Sequence, residues 1–534
     1  MNTTDTAALA RLIASARRNR LGDLLSRSAA RTPHKTALVY GELRQTFAEL
    51  DQTVNRTANA LAARGVAKGD HVALLSHNNH AFVVIRFALA RLGVVTVPIN
   101  FMLNASEIAF ILENAEARAM IVEDALAAVA DAAIAESRVS LKARGAIREK
   151  QPQTPAGWEC VQDWMQHTDA SAPDVDISDD EAVQMLYTSG TESRPKGALL
   201  SARTLYAHYA SCIADGEMSS EDVEVHSLPL YHCAQLDCFL TVDLYLGATS
   251  IVLPAPDPVA LLRTIQAEKV NKIFCPPTIW IALLRHPDFD RTDLSSLKKG
   301  YYGASIMPVE IIKEILTRIP GIRLFNFYGQ TEMAPVATVL KPDDQMRKLG
   351  SAGRPALNVE TCVVDEEDRP VPVGTVGEIV HRGPHVTLGY WKNPEKTAEA
   401  FRNGWFHSGD LGVMDEEGYL TVVDRKKDMI KTGGENVASR EVEEMVFTHP
   451  AVSEVAVFGV PHPKWIEAVM AVVVPRAGHS LTADEILRFC RERMAGYKAP
   501  KLVEVVDQLP KNASGKILKR DLRDRFADRA GSLG

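Results

Sequence analysis

One stretch of small, hydroxylated and basic residues limits the possible folds of this chain more than any other feature. It is LYTSGTESRPKGALLS, from Leu186 to Ser201, and apolar residues flank it on both sides. The pattern predicts two strands joined by a loop. Small residues let successive backbone N–H groups face one anion, hydroxyl groups add donors, and a lysine adds a mobile positive charge. The loop is therefore predicted to bind a polyphosphate. The predicted contacts are Thr188, Ser189, Gly190, Thr191 and Lys196.

The P-loop is the obvious alternative, but its order of residues differs. That motif needs a Gly-Lys pair followed by Ser or Thr at the start of a helix. Here Lys196 precedes Gly197, and neither Ser nor Thr directly follows the lysine. The stretch instead resembles the T-S-G-T-T-G-x-P-K-G signature of the adenylate-forming superfamily, which includes acyl-CoA synthetases, luciferases and the adenylation domains of peptide synthetases.

The loop departs from that signature at two positions. Glu192 and Ser193 stand where the family usually has Thr and Gly. A carboxylate beside the phosphates would repel them, so Glu192 is expected to face solvent, to help coordinate a cation or to pair with Arg194. If it does none of these, nucleotide affinity is reduced.

Length and composition favour a multidomain protein. At 534 residues, the chain exceeds the ~250 to 300 residues at which single cores stop growing. The net charge of −8 argues against nucleic-acid binding. The cysteines form no CxxC pair, which indicates reduced thiols and a cytoplasmic setting. Cys233 and Cys238, with only His232 as a nearby nitrogen ligand, do not indicate zinc. No apolar run is long enough for a transmembrane helix, and the arginine-rich first 20 residues are expected to form a solvated helix.

Short β-rich runs alternate with amphipathic helical patterns from residue 36 onward, which is typical of an α/β fold. The less periodic segment Arg138 to Ala172 is expected to be a surface excursion. The β-rich segment that begins at Gly353 is expected to form a small barrel-like subdomain. The resemblance implies a large N-terminal domain of layered α/β sheets with this β subdomain, residues 1–423. A hinge at residues 424–428, charged and exposed, and a small mobile α+β domain at residues 429–534 follow.

A second motif, Y-G-Q-T-E, spans Tyr328 to Glu332 and matches the family's Y-G-x-T-E. The resemblance implies that Tyr328 stacks on adenine, Thr331 bonds the α-phosphate, and Glu332 holds Mg²⁺ together with Thr188. Mg²⁺ is a hard cation that takes oxygen ligands. The loop YYGASIMP at Tyr301 to Pro308 resembles the family's adenine wall, with Tyr302 in place of its first glycine.

The last part of the chain supplies the ribose, hinge and catalytic positions. Asp410 and Arg425 match the residues that reach the ribose of ATP, and Lys427 falls at the hinge. Lys516, in P-K-N-A-S-G-K, matches the catalytic lysine of adenylation. Beyond the phosphate loop, the implied ATP-binding residues are Gly303, Ala304, Ser305, Asn326, Phe327, Tyr328, Gly329, Thr331, Asp410, Arg425 and Lys516. The residues implied for CoA are Lys431, Gly433, Gly434 and Glu435.

His232 follows a Pro-Leu-Tyr turn, where the family places an aromatic residue or histidine beside the acyl pocket. A core or capping role and a role in the site are equally plausible from the sequence; we include His232 with Lys516, Glu332 and Thr188 in the catalytic set. The expected acyl pocket comprises His232, Cys233, Ala234, Gln235, Tyr302, Gly303, Gly329 and Ala334. No fixed cation is evident for a second carboxylate, so medium- or long-chain fatty acids and aryl acids both remain open, with a fatty acid slightly ahead.

The leading interpretation is an AMP-forming carboxylic acid:CoA ligase that uses Mg²⁺, ATP and CoA. One alternative is an acyl-AMP ligase that loads a carrier protein, and the GGEN segment favours CoA. Another is a non-catalytic acyl- or nucleotide-binding protein, and the presence of Lys516 and Glu332 argues against it. A luciferase-like oxygenase remains open by motif. A homodimer also remains open.

Overall fold

The computed structural model describes residues 9, 12, 13, 15–188, 195–305, 307–432, 435–462, 465–513, 515–527 and 529. The predictions for Ser189, Gly190, Thr191, Glu192, Ser193, Arg194, Gly433 and Gly434 lie outside these residues. The described residues between 9 and 16 are helical and exposed, as a solvated helix requires. None of the described helices is long and apolar enough to cross a bilayer.

Two large sheets form the N-terminal part of the chain. The first runs in the order Glu159–Cys160, Ala143–Ile147, Ala119–Glu123, His71–Leu75, Val95–Ile99, Ala182–Thr188 and Lys196–Ser201. The second runs in the order Arg354–Pro355, Val336–Leu340, Arg323–Gly329, Lys299–Gly303, Lys272–Phe274, Val223–His226, Thr249–Val252, Thr36–Tyr40 and Leu43–Thr46. Most neighbouring pairs are parallel. The central strands are buried on both faces, as their continuous apolar sequences require.

Helices cover these sheets, and several of them begin at a residue whose side chain caps the helix. Thr46 and Glu49 form a reciprocal capping box before the helix Phe47–Ala63. The described α-helices of this part are Asp23–Arg31, Phe47–Ala63, His80–Arg91, Ala105–Asn114, Ala127–Glu136, Val161–Trp164, Ala202–Gly216, Thr241–Leu246, Pro258–Glu268, Pro277–Arg285, Val309–Arg318 and Pro394–Ala400. A π-helical segment, Ala234–Leu240, follows His232. Single 3₁₀ turns lie at Asp124–Leu126, Phe289–Arg291, Thr331–Met333 and Pro342–Asp344.

Two smaller sheets complete the molecule. The β subdomain runs Glu360–Val364, Gly377–Arg382, Trp405–Met414 and Phe401–Arg402, with Leu420–Arg425 paired to Trp405–Met414. The C-terminal sheet runs Glu435–Val437, Ile430–Thr432, Ile466–Pro475 and Val452–His462, with Leu502–Val505 paired to Ile466–Pro475. The helices Ser439–Phe447, Ala483–Arg491 and Lys519–Phe526 accompany it.

Two expectations from the sequence are wrong in detail. Arg138 to Ala172 is not a surface excursion, because its strand Ala143–Ile147 extends the first sheet and Trp164 is fully buried there. The segment 424–428 is not exposed throughout. Asp424 is buried in the strand Leu420–Arg425, and its carboxylate accepts the N–H of Ser439, 2.6 Å away. The charged linker therefore begins after Arg425.

Candidate active site

Three of the predicted nucleotide-binding residues meet where the second sheet approaches the β subdomain. The Tyr328 hydroxyl donates to Asp410 Oδ2 at 2.8 Å. Asp410 and Arg425 lie opposite each other in paired strands, and Arg425 Nε is 3.3 Å from Asp410 Oδ1. Burial raises the pKa of the Asp410 carboxyl, and the Arg425 guanidinium opposes that shift. The structure thus brings an aromatic ring, a carboxylate and a guanidinium together in one cluster.

Lys516 reaches the same cluster from the C-terminal domain. It follows a tight turn in which its N–H donates to Asn512 Oδ1 at 2.8 Å and its carbonyl accepts from Asn512 N at 2.9 Å. The positive charge of Arg425 and, second, burial lower the pKa of Lys516 to about 8, and Asp410 opposes the shift. Because the side chain remains accessible to solvent, we regard the neighbouring charge as the main cause.

The turn that carries Lys516 docks on the N-terminal domain. Gly515 has φ = +81°, and a Cβ atom on it would lie 2.5 Å from Thr278 Oγ1. Thr278 stands in the first turn of the helix Pro277–Arg285. Glycine is therefore required here both by the left-handed backbone and by the close approach between domains.

His232 lines a small pocket and lies within the electrostatic reach of Lys516. Burial and, second, the charge of Lys516 lower the pKa of His232 to about 4, so the imidazole is neutral near pH 7. Its Nδ1 accepts the N–H of Ala234 at 3.1 Å, which leaves Nε2 with the proton. The pocket is lined by Leu228, Pro229, His232, Ala234, Gln235, Phe274, Pro276 and Ala304. The structure therefore brings together four predicted residues, His232, Ala234, Gln235 and Ala304.

Glu332 belongs to the single turn Thr331–Met333 and is buried. Its Oε1 accepts a hydrogen bond of 2.8 Å from the Tyr390 hydroxyl, and Lys196 Nζ lies 4.7 Å from the centre of the Tyr390 ring. The sequence analysis did not identify Tyr390. The sequence shows only that two aromatic residues, Tyr390 and Trp391, are adjacent there. Tyr390 is 58 residues from Glu332, so no local pattern connects the two residues.

Residues 387–391 form a strap that joins the two anchor motifs. Thr387 N donates to Glu332 O at 2.7 Å, Leu388 N donates to Leu199 O at 2.9 Å, and Trp391 N donates to Gly197 O at 2.8 Å. The strap thus holds the turn that carries Glu332 against the strand that begins at Lys196.

Thr188 and Glu332 offer the donor atoms that Mg²⁺ requires. Thr188 ends its strand opposite Lys196, and its hydroxyl lies 3.4 Å from Lys196 O. A hydroxyl and a carboxylate are the hard oxygen ligands that Mg²⁺ prefers. The residues present therefore fit this ion by their chemistry.

The predicted adenine wall is built mainly from backbone. Gly303 pairs with Phe327, and a Cβ on Gly303 would lie 2.3 Å from Phe327 O. Ala304 and Ser305 are exposed at the end of this strand. The Phe327 side chain lies in the core, and the Asn326 amide donates to Ser351 O at 3.0 Å. Only the backbone of Phe327 is therefore available to a ligand.

Four residues predicted for the acyl pocket do not line the small pocket that contains His232. Tyr302 is buried in the other core layer with its hydroxyl on Gln345 at 2.9 Å, because alternation along the strand turns it away from His232. Gly329 packs against Pro335 O, where a Cβ would lie 1.9 Å away. Cys233 and Ala334 are buried in the core layer that includes Phe327.

Lys427 is exposed in the linker, and its role as a hinge residue stays a prediction. Lys431 and Glu435 lie in a hairpin of the C-terminal sheet, where Lys431 N donates to Glu467 Oε2 at 2.7 Å. Among the described residues, no hydrogen bond or ion pair joins this hairpin to Tyr328, Asp410 or Arg425.

This fold, with charged groups from two domains meeting at the ends of its strands, defines a two-domain nucleotide-binding enzyme. Residues 25–391 match the family model of an AMP-binding enzyme, and residues 441–516 match the AMP-binding enzyme C-terminal domain. The chain therefore belongs to the AMP-binding enzyme family, the adenylate-forming superfamily predicted from the sequence.

Known relatives extend over nearly the whole chain. A feruloyl-CoA synthase from an Amycolatopsis species is 39% identical over 506 residues, which cover 95% of this chain and 99% of that protein. A long-chain-fatty-acid–CoA ligase from Mycobacterium tuberculosis is 33% identical over 512 residues, 95% of this chain and 98% of that protein. The crystal structure of an anthranilate CoA ligase with anthranoyl-AMP is similar with a TM-score of 0.89 at 27% identity, covering 97% of this chain and 99% of that chain.

These similarities confirm the predicted fold and enzyme class. The chain is an acid–CoA ligase that works through adenylation, and ATP and CoA are the co-substrates of this class. The roles of individual site residues stay predictions.

Proposed function

We propose that this protein activates a monocarboxylic acid as its acyl-AMP with Mg·ATP and then transfers the acyl group to CoA. The observation that carries the proposal is the position of Lys516. A lysine of the C-terminal domain lies within the electrostatic reach of Arg425, Asp410 and His232 of the preceding part of the chain. Positive charges from two domains at one place suit a reaction in which a carboxylate attacks a phosphate, because both reactants are anions.

In the first half-reaction, a carboxylate oxygen attacks the α-phosphorus of ATP, the bond to the β-phosphate oxygen breaks, and pyrophosphate leaves. Both reactants are anions, so fixed cations and N–H donors must offset their repulsion. Lys196 and Lys516 would face the phosphates and the carboxylate. Asp410 and Arg425 would hold the ribose, with Tyr328 against the adenine. Mg²⁺, bound by Thr188 and Glu332, would supply further neutralisation of phosphate charge.

In the second half-reaction, the CoA thiol attacks the acyl carbonyl carbon, and AMP leaves as the C–O bond breaks. The thiol needs the space that Lys516 occupies. We infer that the C-terminal domain rotates about Lys427, withdraws Lys516 and presents Lys431, Gly433, Gly434 and Glu435 to the pantetheine arm. Lys427 lies exposed in a turn between the two domains, and a few such residues can absorb the change in backbone angles that a domain rotation needs.

We infer an aryl acid as the substrate, with a fatty acid as the second candidate. The wall of the pocket is aromatic, because Phe274, which lines it, stacks on Phe239 with ring centres 4.5 Å apart and an angle of 14°. Phe239 also stacks on Phe327 at 5.7 Å. Phe274 is the one of these three rings that lines the pocket, and it offers a flat surface to the ring of an aryl acid. The 39% identical relative is named for ferulate, and the 33% identical one for long-chain fatty acids.

Pyrophosphate release over a panel of aromatic and fatty acids, with and without CoA, tests the proposal. We expect one class of acid to give AMP and a thioester only when CoA is present. Pyrophosphate and acyl-AMP without thioester would favour a ligase that loads a carrier protein. ATP binding without pyrophosphate from any acid would contradict turnover and favour a non-catalytic binding protein.

A further inference from the structure

Four titratable side chains that the proposed reaction does not use lie fully buried in the second large sheet and the helix beside it, and we call them the buried cluster. They are Glu224, His226, Asp243 and Lys272. Glu224 and Lys272 stand opposite each other in paired strands, and alternation along the strand puts His226 on the same face as Glu224. Lys272 Nζ lies 2.9 Å from Glu224 Oε2 and also contacts Asp243 Oδ1. A buried ion cluster adds little net stability compared with apolar side chains of the same volume, so this one is better explained by what it holds in place.

Gln235 connects the buried cluster with the pocket. This residue lines the pocket together with His232, and it is fully buried. Its Oε1 accepts the N–H of Leu228 at 3.4 Å. Its Nε2 lies 2.8 Å from His226 Nδ1 and 3.5 Å from Glu224 Oε1. The Gln235 amide is therefore held on three sides.

The orientation of this amide determines the tautomer of His226. The N–H of Leu228 can only donate, so the amide oxygen faces it and the amide nitrogen faces His226. That nitrogen also only donates, so His226 Nδ1 accepts and the ring proton is on Nε2, which lies 3.3 Å from Asp243 Oδ2. Burial lowers the pKa of His226 and Asp243 opposes the shift, so the imidazole is neutral near pH 7. The buried cluster, the imidazole and the amide thus form one directional chain that ends at Leu228.

The Gln235 side chain joins the two ends of the loop that carries His232. That loop runs from Leu228 to Ala234, and Gln235 directly follows it. Because Gln235 Oε1 accepts from the backbone of Leu228, it ties the start of the loop to its end. From the first sheet, Asn78 Nδ2 donates to Leu228 O at 2.8 Å. A loss of the Gln235 contact would free one of these two ties, and a displacement of about 1 Å near reacting atoms can cost about 10²-fold in rate.

We propose that Gln235 is a positioning residue for adenylation: it fixes the loop that carries His232, and the buried cluster holds Gln235 through His226. The inference rests on the proposed function and adds to it the side chains that set the geometry of the acid site. The buried cluster need not touch either reactant. Because the predicted contacts to ATP come from other elements, a disturbance of Gln235 should affect the acid more than the nucleotide.

A divalent cation is the competing explanation of the buried cluster, since two carboxylates and an imidazole are common metal ligands. The Lys272 ammonium, however, already lies between the two carboxylates, 2.9 Å from Glu224 Oε2 and in contact with Asp243. A second positive charge there would be repelled. A metal ion in the purified protein that is lost in Glu224→Gln, measured by mass spectrometry of the metal content, would overturn the inference.

Two replacements of His226 test the chain. Asparagine can place its amide oxygen where Nδ1 accepts from Gln235, whereas leucine offers no acceptor. The assay is pyrophosphate release with the acid of the panel that releases most. We expect His226→Leu to lower kcat/KM for the acid by about 10- to 10²-fold and to leave the KM for ATP unchanged. His226→Asn should recover most of this loss. Equal losses in the two variants would overturn the inference.

His71→Leu is the matched control, because it removes another buried imidazole, whose Nδ1 contacts Ala115 O in the first sheet. It should lower the free energy of unfolding and leave kcat/KM for the acid unchanged. Gln235→Met keeps the volume and removes the amide. Gln235→Met combined with His226→Leu should lose no more than Gln235→Met alone, because His226 acts through Gln235. Additive losses would overturn the inference. If His226→Leu does not fold, Gln235→Met alone decides, and an unchanged kcat/KM for the acid would overturn the inference.

NMR of the full chain with ¹⁵N-labelled histidine separates this inference from the proposed function, because it needs no turnover. The His226 signal, identified by its absence in His226→Asn, should show a proton on Nε2 and none on Nδ1. Gln235→Met should shift the His232 signal and leave the His71 signal unchanged. These shifts without pyrophosphate release from any acid would contradict the proposed function and support the placement of His232 by Gln235. A proton on His226 Nδ1, or a His232 signal that Gln235→Met does not move, would overturn the inference.

Discussion

Lys516 shows how distant neighbours change the electrostatic environment of a surface lysine. Its own turn holds only the backbone, through Asn512. The electrostatic environment comes from Arg425 and Asp410, about ninety residues earlier in the chain. A cation in this position is worth most when charge builds up on the α-phosphate, because a preformed charge needs no reorganisation during the reaction.

Replacing Lys516 by alanine should slow adenylation by about 10²- to 10³-fold, since one stabilising contact to the developing charge is lost. Acid-dependent pyrophosphate release measures this step. Thioester formation from synthetic acyl-AMP should be unaffected. Lys511→Ala is the matched control, because Lys511 lies in the same turn and pairs with Glu454 at 2.6 Å. An equal loss in both half-reactions would contradict the role of Lys516.

The pKa of Lys516 predicts a pH dependence. Because this pKa is lowered to about 8, the lysine is protonated below that pH and loses its charge as pH rises through it. The kcat/KM for adenylation should therefore fall on the alkaline side of about pH 8 in the free enzyme. His232, with a pKa of about 4, should add no step between pH 5 and 8. Lys516→Arg should move the alkaline decline upward in whatever activity it retains, since arginine stays charged. If kcat/KM of Lys516→Arg declines at the same pH as in the unchanged protein, a group other than Lys516 causes the decline.

Tyr390 is predicted to position Glu332. Tyr390→Phe removes the hydrogen bond of 2.8 Å to Glu332 Oε1 and keeps the ring beside Lys196. The Mg²⁺ concentration for half-maximal ATP binding, measured by calorimetry, should rise by about 10-fold. Tyr419→Phe is the control, because the Tyr419 hydroxyl donates to Asp344 in a different ion-pair cluster. An unchanged Mg²⁺ requirement would show that Tyr390 serves stability alone.

At the scale of elements, the linker after Arg425 is predicted to determine which half-reaction the enzyme can perform. Asp428 is tied to the C-terminal helix by Arg523 at 2.8 Å, whereas Lys427 is exposed. We therefore expect the domain rotation to take place at one or two residues of this linker.

Lys427→Pro should spare pyrophosphate release and strongly reduce thioester formation, because proline fixes φ near −65° and restricts the rotation. Both products are measured in single-turnover experiments with the acid, ATP and CoA. Lys427→Ala removes the charge but keeps backbone freedom, so it should retain both activities. Equal losses of both activities in the proline variant would contradict the hinge assignment.

Local patterns predicted many elements closely. The amphipathic pattern from Phe47 to Arg64 predicts a helix, and the structure has the helix Phe47–Ala63. The β-rich run from Ala37 to Tyr40 predicts a strand, and the structure has the strand Thr36–Tyr40. Amphipathic spacing and capping residues act over a few positions, so they are visible in the sequence. The sequence does not predict the strand Ala143–Ile147, because the strand is short and contains the charged residue Arg144. It nevertheless lies next to the edge strand of the first sheet and is mostly buried.

At the scale of the whole molecule, a buried ion pair and a neighbouring amide link the helix His80–Arg91, the π-helical segment Ala234–Leu240 and the first large sheet. Arg86 donates to Asp237 Oδ1 at 2.6 Å, and Gln184 donates to Asp237 Oδ2 at 2.8 Å. Gln184 belongs to the strand that leads into the phosphate loop, and Asp237 belongs to the π-helical segment behind the pocket. This network joins the strand that precedes the predicted phosphate loop to the π-helical segment.

Arg86→Met should destabilise the N-terminal part by about 3 to 5 kcal/mol, because it leaves the buried Asp237 carboxylate without its partner. The shift of its unfolding transition in denaturant measures the effect. Arg203→Met is the matched surface control, since its pair with Asp179 is exposed and such pairs contribute about 0 to 1 kcal/mol. Arg86→Met combined with Asp237→Leu should recover part of the loss. A loss no larger than that of the control would show that the pair contributes little to the fold.

The sequence by itself determined the family, the α/β class and the ligase chemistry, because these depend on contiguous motifs such as Tyr328 to Glu332. It also placed Asp410, Arg425 and Lys516 in one site through resemblance. Only the tertiary structure decided that Tyr302 faces away from the pocket, that Tyr390 holds Glu332, and that His226 meets Gln235. The reason is physical. Backbone preferences and motif contacts act locally, whereas the direction of a side chain across a sheet and its distant partners depend on how the layers pack.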